Sequence, residues 1–222
     1  MYTVRSTLPR ALFRTPKRLA TPQYPSRPFS STVAAMSAIS DAIKHDHAEL
    51  KDYYDKIVNA GSDHAAATQW QNQFTWELAR HSIAEELVVY PVFQKNLGQQ
   101  GKIMADKDRV EHQKVKEALY KFQGLKAGSP EFLPTLEGLM QELKKHMEEE
   151  ETQDLIALDN SLQSGEGESL AASFKRTKWF IPTRSHPSAP DKPPFETVAG
   201  LLAAPIDKLG DLLRTFPDKD TN

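Results

Sequence analysis

The chain has 222 residues, of which 39% are hydrophobic, so it can bury one sizeable core and still carry tails. It contains no cysteine, which excludes disulfides, thiolate zinc sites, cysteine nucleophiles and cysteine-ligated iron–sulfur clusters. No apolar run approaches the roughly 18 residues that cross a bilayer, so a soluble or peripheral protein without a transmembrane segment is expected.

The net charge of −2 is unevenly distributed along the chain. Residues 1–36 hold six basic residues and no acidic one, whereas the remainder has 22 Lys and Arg against 30 Asp and Glu, a net charge of −8. A body this acidic is poorly suited to neutralising phosphates, so no nucleic-acid partner is expected.

Residues 1–36 have the composition of a mitochondrial transit peptide, because they are rich in Arg, Ser, Thr and Pro and free of acid. The stretch Arg27-Pro-Phe-Ser-Ser-Thr32 resembles the arginine-led cleavage sites of mitochondrial precursors. We therefore expect a disordered presequence over 1–36 and a mitochondrial location, with the matrix as the leading compartment. Two alternatives stay open, a basic tail without a targeting role and a cytosolic form that starts at Met36.

The first predicted helix begins near Ser40, a favourable N-cap residue. Its apolar stripe carries Ile43 and Leu50, and His47 lies on the same stripe. His45 lies about 200° around the helix and is expected in solvent.

The second predicted helix follows the turn Gly61-Ser62-Asp63 and continues to Tyr90, where Pro91 ends or kinks it. His81 and Glu85 are four residues apart on its apolar face, so both side chains project from one side of the helix. Residues 96–101 are predicted to form a loop.

The third predicted helix spans about 103–123 with His112 on its apolar stripe, and the fourth begins at Ser129-Pro130 with His146 and Glu150 on its stripe. Four helices with short connections predict an all-α, up-down-up-down four-helix bundle over residues 37–163.

Residues 164–222 are predicted to be a linker and a partly extended C-terminal tail. Gly165–Ser169 is interpreted as the linker, and Pro182–Pro194 is too rich in proline for regular structure. An amphipathic helix is predicted at about 197–214. We expect it to pack on the outside of the bundle, with binding to a protein partner or a membrane surface as the alternative.

One histidine per helix lies on an apolar stripe, and two of the four are followed by a glutamate at the same spacing. Buried ionisable groups are costly unless something satisfies them, and bundles build metal sites from inward-facing side chains on opposed helices. The predicted ligands for two metal ions are His47, His81, Glu85, His112, His146 and Glu150. Each glutamate can bridge both ions, and imidazole with carboxylate suits iron, manganese or zinc.

These motifs resemble the hemerythrin-like (HHE cation-binding) family of four-helix bundles that hold two non-haem iron ions with an oxo or hydroxo bridge. The matching pieces cover about residues 39–160, and the resemblance implies iron ligation by the same six side chains with the two glutamates as bridges. The matching pieces are Asp46-His47-Ala-Glu-Leu50, His81-Ser-Ile-Ala-Glu85 with Glu86-Leu-Val-Val-Tyr-Pro91, Glu111-His112 and His146-Met-Glu-Glu-Glu150.

The chain departs from oxygen-carrying hemerythrins in two places. They have a fifth histidine where this chain has Lys116, and an aspartate that closes the site where it has Glu151. One iron is therefore expected to be less saturated, which favours sensing, scavenging or redox chemistry over reversible oxygen carriage.

Three functional hypotheses follow. The leading one is a non-enzymatic di-iron protein that binds or senses dioxygen, nitric oxide or iron. The second is a di-iron enzyme that reduces peroxide or nitric oxide, or an iron donor or store; Asp108, one turn before His112, is its candidate buried acid. The third is a structural bundle with a partner-binding tail and no metal.

Overall fold

The computed structural model describes residues 37–189 and 195–218, together with Tyr2, and for residues 195–201 it describes the backbone alone. The predicted presequence and part of the proline-rich stretch therefore lie outside the described residues. The described residues form helices and turns, with no strand among them. The helices are α1 (Ala38–Asn59), α2 (His64–Ala84), α3 (Tyr90–Gln123), α4 (Phe132–Glu149), α5 (Leu155–Ser161), α6 (Glu166–Thr177) and α7 (Phe195–Asp211), with π-helical segments π1 (Glu85–Val89) and π2 (Glu150–Asp154).

The bundle runs up-down-up-down, as the sequence predicts. Its apolar residues form two clusters, core A and core B, at the two ends of the bundle. The chain passes from core B to core A in α1, back in α2 and π1, forward again in the second part of α3, and back in α4 and α5. Core A includes Leu50, Ile57, Phe74, Leu78, Val115, Phe122, Leu136, Leu143 and Met147, and core B includes Ile39, Ile43, Ala84, Tyr90, Phe93, Ala105, Leu155, Leu158 and Phe174.

The starts of α1 and α2 are fixed by capping side chains. Ser37 accepts a hydrogen bond from the Ser40 N–H, so α1 begins before the predicted cap. Ser40 instead donates through its hydroxyl to Asp159. Asp63 accepts from two backbone N–H groups of the next turn and caps α2 as predicted.

The reversal between the second and third bundle helices is sharper than the predicted loop over 96–101. Gly98, with φ 59° and ψ −129°, is the residue that leaves helical geometry within α3. This conformation is open to glycine and strained for other residues. A Cβ on Gly101 would lie 1.9 Å from the Phe93 carbonyl oxygen, so the two arms of α3 meet where only glycine fits.

The π-helical segments interrupt the helices at the predicted metal ligands, since π1 begins at Glu85 and π2 begins at Glu150. Pro91 is the second residue after π1 and does not end the helix. A proline removes one hydrogen bond from the α-helical ladder, and π1 is a place where that ladder is already broken.

The predicted linker at Gly165–Ser169 is wrong beyond its first residue. Gly165 has φ 83°, and α6 begins immediately after it with Glu166 and Glu168 in the first turn, where they favour helix formation. The helix packs on α1 and buries Phe174 in core B.

The C-terminal helix α7 is present but contacts the body by the opposite face from the one expected. Asp207 accepts hydrogen bonds from the backbone N–H groups of Thr183 and Arg184, and Ala204 is buried. The exposed residues include Leu202, Ile206, Leu209, Leu212 and Leu213. Among the described residues, no helix is both long enough and apolar enough to span a membrane.

Candidate metal centre

Two pairs of histidines face each other between core A and core B. His47 and His81, on α1 and α2, bring their Nε2 atoms to 3.2 Å from each other. His112 and His146, on α3 and α4, bring theirs to 2.9 Å. All four rings are almost fully buried. The four histidines that the sequence singles out, one on each helix, therefore lie close together.

Glu85 lies between the two histidine pairs, and Glu150 lies beside His47 and His81. Glu85 reaches both, with Oε1 3.2 Å from His81 Nε2 and Oε2 3.4 Å from His112 Nε2. Glu150 Oε2 lies 3.3 Å from His47 Nε2. Each carboxylate is thus placed between imidazole nitrogens of different helices.

These two glutamates are fully buried, yet none of their four carboxylate oxygens has a hydrogen-bond partner. Burial, and after it the charge of Glu150, raises the pKa of Glu85 well above its ordinary range. Burial acts in the same direction on Glu150, but the close approach of His47 and the neighbouring histidines outweigh it and hold its pKa at about 2. A cation between these oxygens would satisfy all of them, so the donor set fits a metal centre.

Each histidine directs its other ring nitrogen, Nδ1, at a carboxylate on a neighbouring helix. With Nδ1 protonated, His47 donates to Glu151 at 2.9 Å and His81 to Asp46 at 3.0 Å. The other two donors are His112, which donates to Glu86 at 3.1 Å, and His146, which donates to Glu111 at 3.0 Å. These bonds favour the tautomer whose Nε2 lone pair points into the centre, as in histidines that bind metals.

Burial dominates the pKa of the histidines, and their carboxylate partners act against it. Burial lowers the pKa of His112 to about 4 and lowers that of His81, so both rings are neutral at pH 7 and ready to bind metal. For His47 and His146, hydrogen bonds to glutamates outweigh burial and raise the pKa. Metal binding at these two rings therefore competes with protons.

Two further side chains border the His112 side of the centre. The Tyr90 hydroxyl is fully buried 3.1 Å from His112 Nε2. Lys116, at the position where oxygen carriers have a fifth histidine, donates to Glu86 at 2.7 Å instead of pointing at the centre. Tyr90 is not among the site residues predicted from the sequence.

Asp108 is placed as the sequence predicts, one turn before His112 and 1% exposed. Burial, together with the charges of Asp154 and Glu150, raises its pKa to about 8. Its two carboxylate oxygens have no hydrogen-bond partner.

The other histidines lie away from the centre. His45 is exposed as expected, the His64 ring lies against Gly128, and His186 pairs with Asp207 at 2.9 Å. Lys178, just after α6, contacts Asp46 and Glu77 of the bundle.

Comparisons of the sequence with known proteins find a family model and relatives that match. The model of the hemerythrin HHE cation-binding domain matches residues 38–156. An uncharacterised hemerythrin-like protein of Schizosaccharomyces pombe is 58% identical over 182 residues, which are 82% of this chain and 89% of that protein. A Nostoc protein named DNA nickase is 27% identical over 146 residues, which are 66% of this chain but 40% of that protein. No solved structure matches the chain significantly.

Proposed function

The chain belongs to the family of hemerythrin HHE cation-binding domains, and from this premise we propose that it is a non-haem di-iron protein that binds or senses dioxygen, nitric oxide or iron. The observation that carries the proposal is the pair of fully buried glutamates whose four oxygens have no partner and lie among four histidine Nε2 atoms. Imidazole with carboxylate suits iron, and manganese and zinc are the alternatives.

The residues that would hold the metal ions are His47, His81, Glu85, His112, His146 and Glu150. Two irons would supply redox chemistry and a binding position for a small ligand. The chain contributes orientation, because carboxylates fix the histidine rings through Nδ1, and it excludes bulk water, because cores A and B close the centre from both ends.

The environment of Lys116 supports sensing or buffering over reversible oxygen carriage. Lys116 is engaged by Glu86, so the His112 side of the centre has no additional imidazole from this position. The metal ion on that side would have fewer protein ligands and more room for dioxygen, nitric oxide or peroxide.

The test of this proposal is metal content and visible absorption of protein purified from residue 37 onward, compared between wild type and Glu85→Gln. An amide cannot bridge two cations, so we expect about two irons per wild-type chain and loss of most of the metal in Glu85→Gln. Because the substitution removes a buried carboxyl group, the metal-free variant should be at least as stable as the metal-free wild type.

Glu148→Gln, which makes the same chemical change at an exposed position of α4, should keep its metal. A wild type that takes up no metal after reconstitution with iron would leave a plain helical scaffold. Uptake of zinc or manganese alone would keep the ligand assignment and remove the oxygen chemistry.

The second candidate function is a di-iron enzyme that reduces peroxide or nitric oxide. Asp108 favours it, because a buried carboxyl group with a pKa of about 8 holds a proton at neutral pH and lies close to His146. In that case, Asp108→Asn protein that is fully loaded with iron should lose peroxide reduction while wild type shows it.

We also propose mitochondrial import, on the basis of the acid-free basic composition of residues 1–36. The N-terminus of the protein isolated from cells tests this, since cleavage near residues 27–36 is expected. An intact N-terminus or a start at Met36 in the cytosol would contradict it. The charge of −8 outside this segment argues against DNA as a partner, although one relative is named a nickase.

A further inference from the structure

Asp108 belongs to a second group of carboxyl groups, which lies beside the metal centre. Asp108 and Glu111 on α3 offer oxygens that lie within 4.8 Å of each other and of a His146 ring nitrogen. Asp154, at the end of π2, is close enough to Asp108 for its charge to act on that carboxyl group. We call Asp108, Glu111 and Asp154 the acidic triad.

We propose that the acidic triad is a transit site through which divalent metal ions pass from the surface to the metal centre. This inference rests on the proposed function, because a transit site requires a centre that takes up metal. It assigns to the triad a role in the rate of metal exchange, whereas the six predicted ligands determine how much metal is held.

The first support is the state of Asp108. Its side chain is 1% exposed, and neither carboxylate oxygen has a hydrogen-bond partner. A buried carboxylate without a partner is costly, and a structural carboxylate in such a place is normally hydrogen-bonded. Asp46, Glu86 and Glu151, which surround the same centre, all have partners. A passing cation would provide the missing one for Asp108.

The second support is a graded series of carboxylates from solvent to the centre. The side-chain exposure falls from 27% at Glu149 to 17% at Glu111 and to zero at Glu150, with Asp108 and Asp154 at 1% and 6% as whole residues. A divalent ion that enters along this series would exchange its waters for carboxylate oxygens step by step. Hard oxygen ligands hold such ions without the geometric demands of a final site.

The third support is the charge balance at the outer end. Lys107 Nζ lies 2.5 Å from Glu149 and 4.0 Å from Glu111, and it is half-exposed, so a cation can displace it without disturbing the core. Lys145 also contacts Glu149. Even without Asp108, the carboxyl groups of Glu149, Glu111 and Asp154 outnumber these two lysines, and such a negative cleft raises the local concentration of cations.

The experiment measures rates of metal entry and exit in the otherwise complete chain. Metal-free wild type and Asp108→Asn are mixed with Co²⁺, whose visible absorption reports binding, and loaded protein is then mixed with a chelator. We expect Asp108→Asn to bind the same number of ions per chain with unchanged affinity, but to load and release them roughly tenfold more slowly or worse. Because the affinity is unchanged, removal of the transit path must slow metal entry and metal release by the same factor.

Asp154→Asn provides a second variant on a different element, and it should slow both rates as well. Asp106→Asn is the matched control, because it makes the same change two residues from Asp108 on a part-exposed side of α3, and its rates should equal those of wild type. Circular dichroism confirms that the variants are folded.

Wild-type rates in both Asp108→Asn and Asp154→Asn would overturn the inference and leave the triad as buried acids. A lower number of bound ions in Asp108→Asn would also overturn it, because Asp108 would then be a ligand of the centre. A wild type that binds no metal would instead refute the proposed function itself. If Asp108→Asn loads slowly but reduces peroxide normally once it is loaded, Asp108 acts in metal transit and not as the acid of the second candidate function.

Discussion

At the scale of single residues, the metal centre depends on carboxylates that do not touch the metal. Asp46 shows this most clearly. Burial raises the pKa of Asp46, but the hydrogen bond from His81 and the charge of Lys178 outweigh it and hold its pKa at about 2. Asp46 is therefore ionised at any physiological pH, and it keeps the proton of His81 on Nδ1 so that Nε2 remains free.

Asp46→Asn should lower metal affinity without removing a ligand. An amide can present its N–H₂ group to His81, and it no longer stabilises the required tautomer, so we expect a loss of about 10- to 100-fold in affinity. The measurement is competition against a chelator of known affinity. Asp41→Asn, an exposed residue of α1, should show wild-type affinity, and a wild-type value for Asp46→Asn would mean that the ring is oriented by packing alone.

Some of this centre could be predicted from sequence and some could not. His81 and Glu85 lie on one helix four residues apart, so their common face follows from helical geometry. The partners of Nδ1 come from other helices, such as Glu151 for His47, which is 104 residues away. Such pairs depend on helix rotation and register, which local spacing does not encode.

At the scale of elements, the two π-helical segments explain how consecutive acidic residues serve one centre. In π1, Glu85 faces the histidine nitrogens while Glu86 contacts the outer nitrogen of His112. A π turn has one more residue than an α turn, so it widens the helix where two buried side chains must point inward. Nothing in residues 85–89 distinguishes this from an ordinary turn, so the sequence predicts a continuous helix.

The docking of α7 shows why the amphipathic pattern alone misplaced its faces. The predicted packing relied on the leucines, but the contacts are made by Asp207 and Asp211 with Thr183 and Arg184. The backbone N–H groups of Thr183 and Arg184 need acceptors, and Asp207 supplies them, while Asp211 accepts from the Thr183 hydroxyl. An apolar stripe predicts that a helix face is buried, but it does not identify the residues that cover that face. Among the described residues, the large apolar side chains of α7 are exposed.

The docking of α7 should weaken as the pH rises, because His186 donates to Asp207. This hydrogen bond raises the pKa of His186 above its ordinary value of 6.5. A raised folded-state pKa stabilises the contact below about pH 6.5 and loses that stabilisation as the pH rises through the folded-state value. The effect should be at most about 1 kcal/mol, because the pair is partly exposed.

The measurement is hydrogen exchange of the Thr183 and Arg184 amides, corrected for intrinsic rates, at pH 6 and pH 8. We expect up to about fivefold less protection at pH 8. In His186→Gln the difference between the two pH values should vanish. Equal protection of the wild type at both pH values would show that His186 does not hold the helix.

At the scale of the whole molecule, the metal centre joins helices that otherwise meet through separate cores. All four bundle helices contribute a predicted ligand, and the centre lies between core A and core B. Without metal, the buried oxygens of Glu85 and Glu150 have no hydrogen-bond partner, and their burial lowers the stability of the fold. Metal binding is therefore expected to stabilise the fold.

Metal removal should lower the stability of the whole bundle. A free metal concentration 1,000 times the dissociation constant adds about 4 kcal/mol to the free energy of unfolding, which corresponds to a rise in Tm of roughly 10 °C for a chain of this size. Thermal unfolding followed by circular dichroism, with and without metal, measures the shift. The Tm of Glu85→Gln should not respond to metal, whereas an equal shift in that variant would place the bound ion elsewhere.

One oxygen atom connects the tail with the centre. Asp46 Oδ2 accepts from His81 at 3.0 Å and from Lys178, just after α6, at 2.6 Å. If the contact with Lys178 raises the metal affinity by some factor, thermodynamic reciprocity requires that bound metal strengthen the attachment of Lys178 by the same factor. A chain that loses its metal should therefore loosen its own segment from α6 onward, and a chain cut before α6 should release metal more easily. The rate at which a protease cuts the tail would then report the fraction of chains whose centre holds metal.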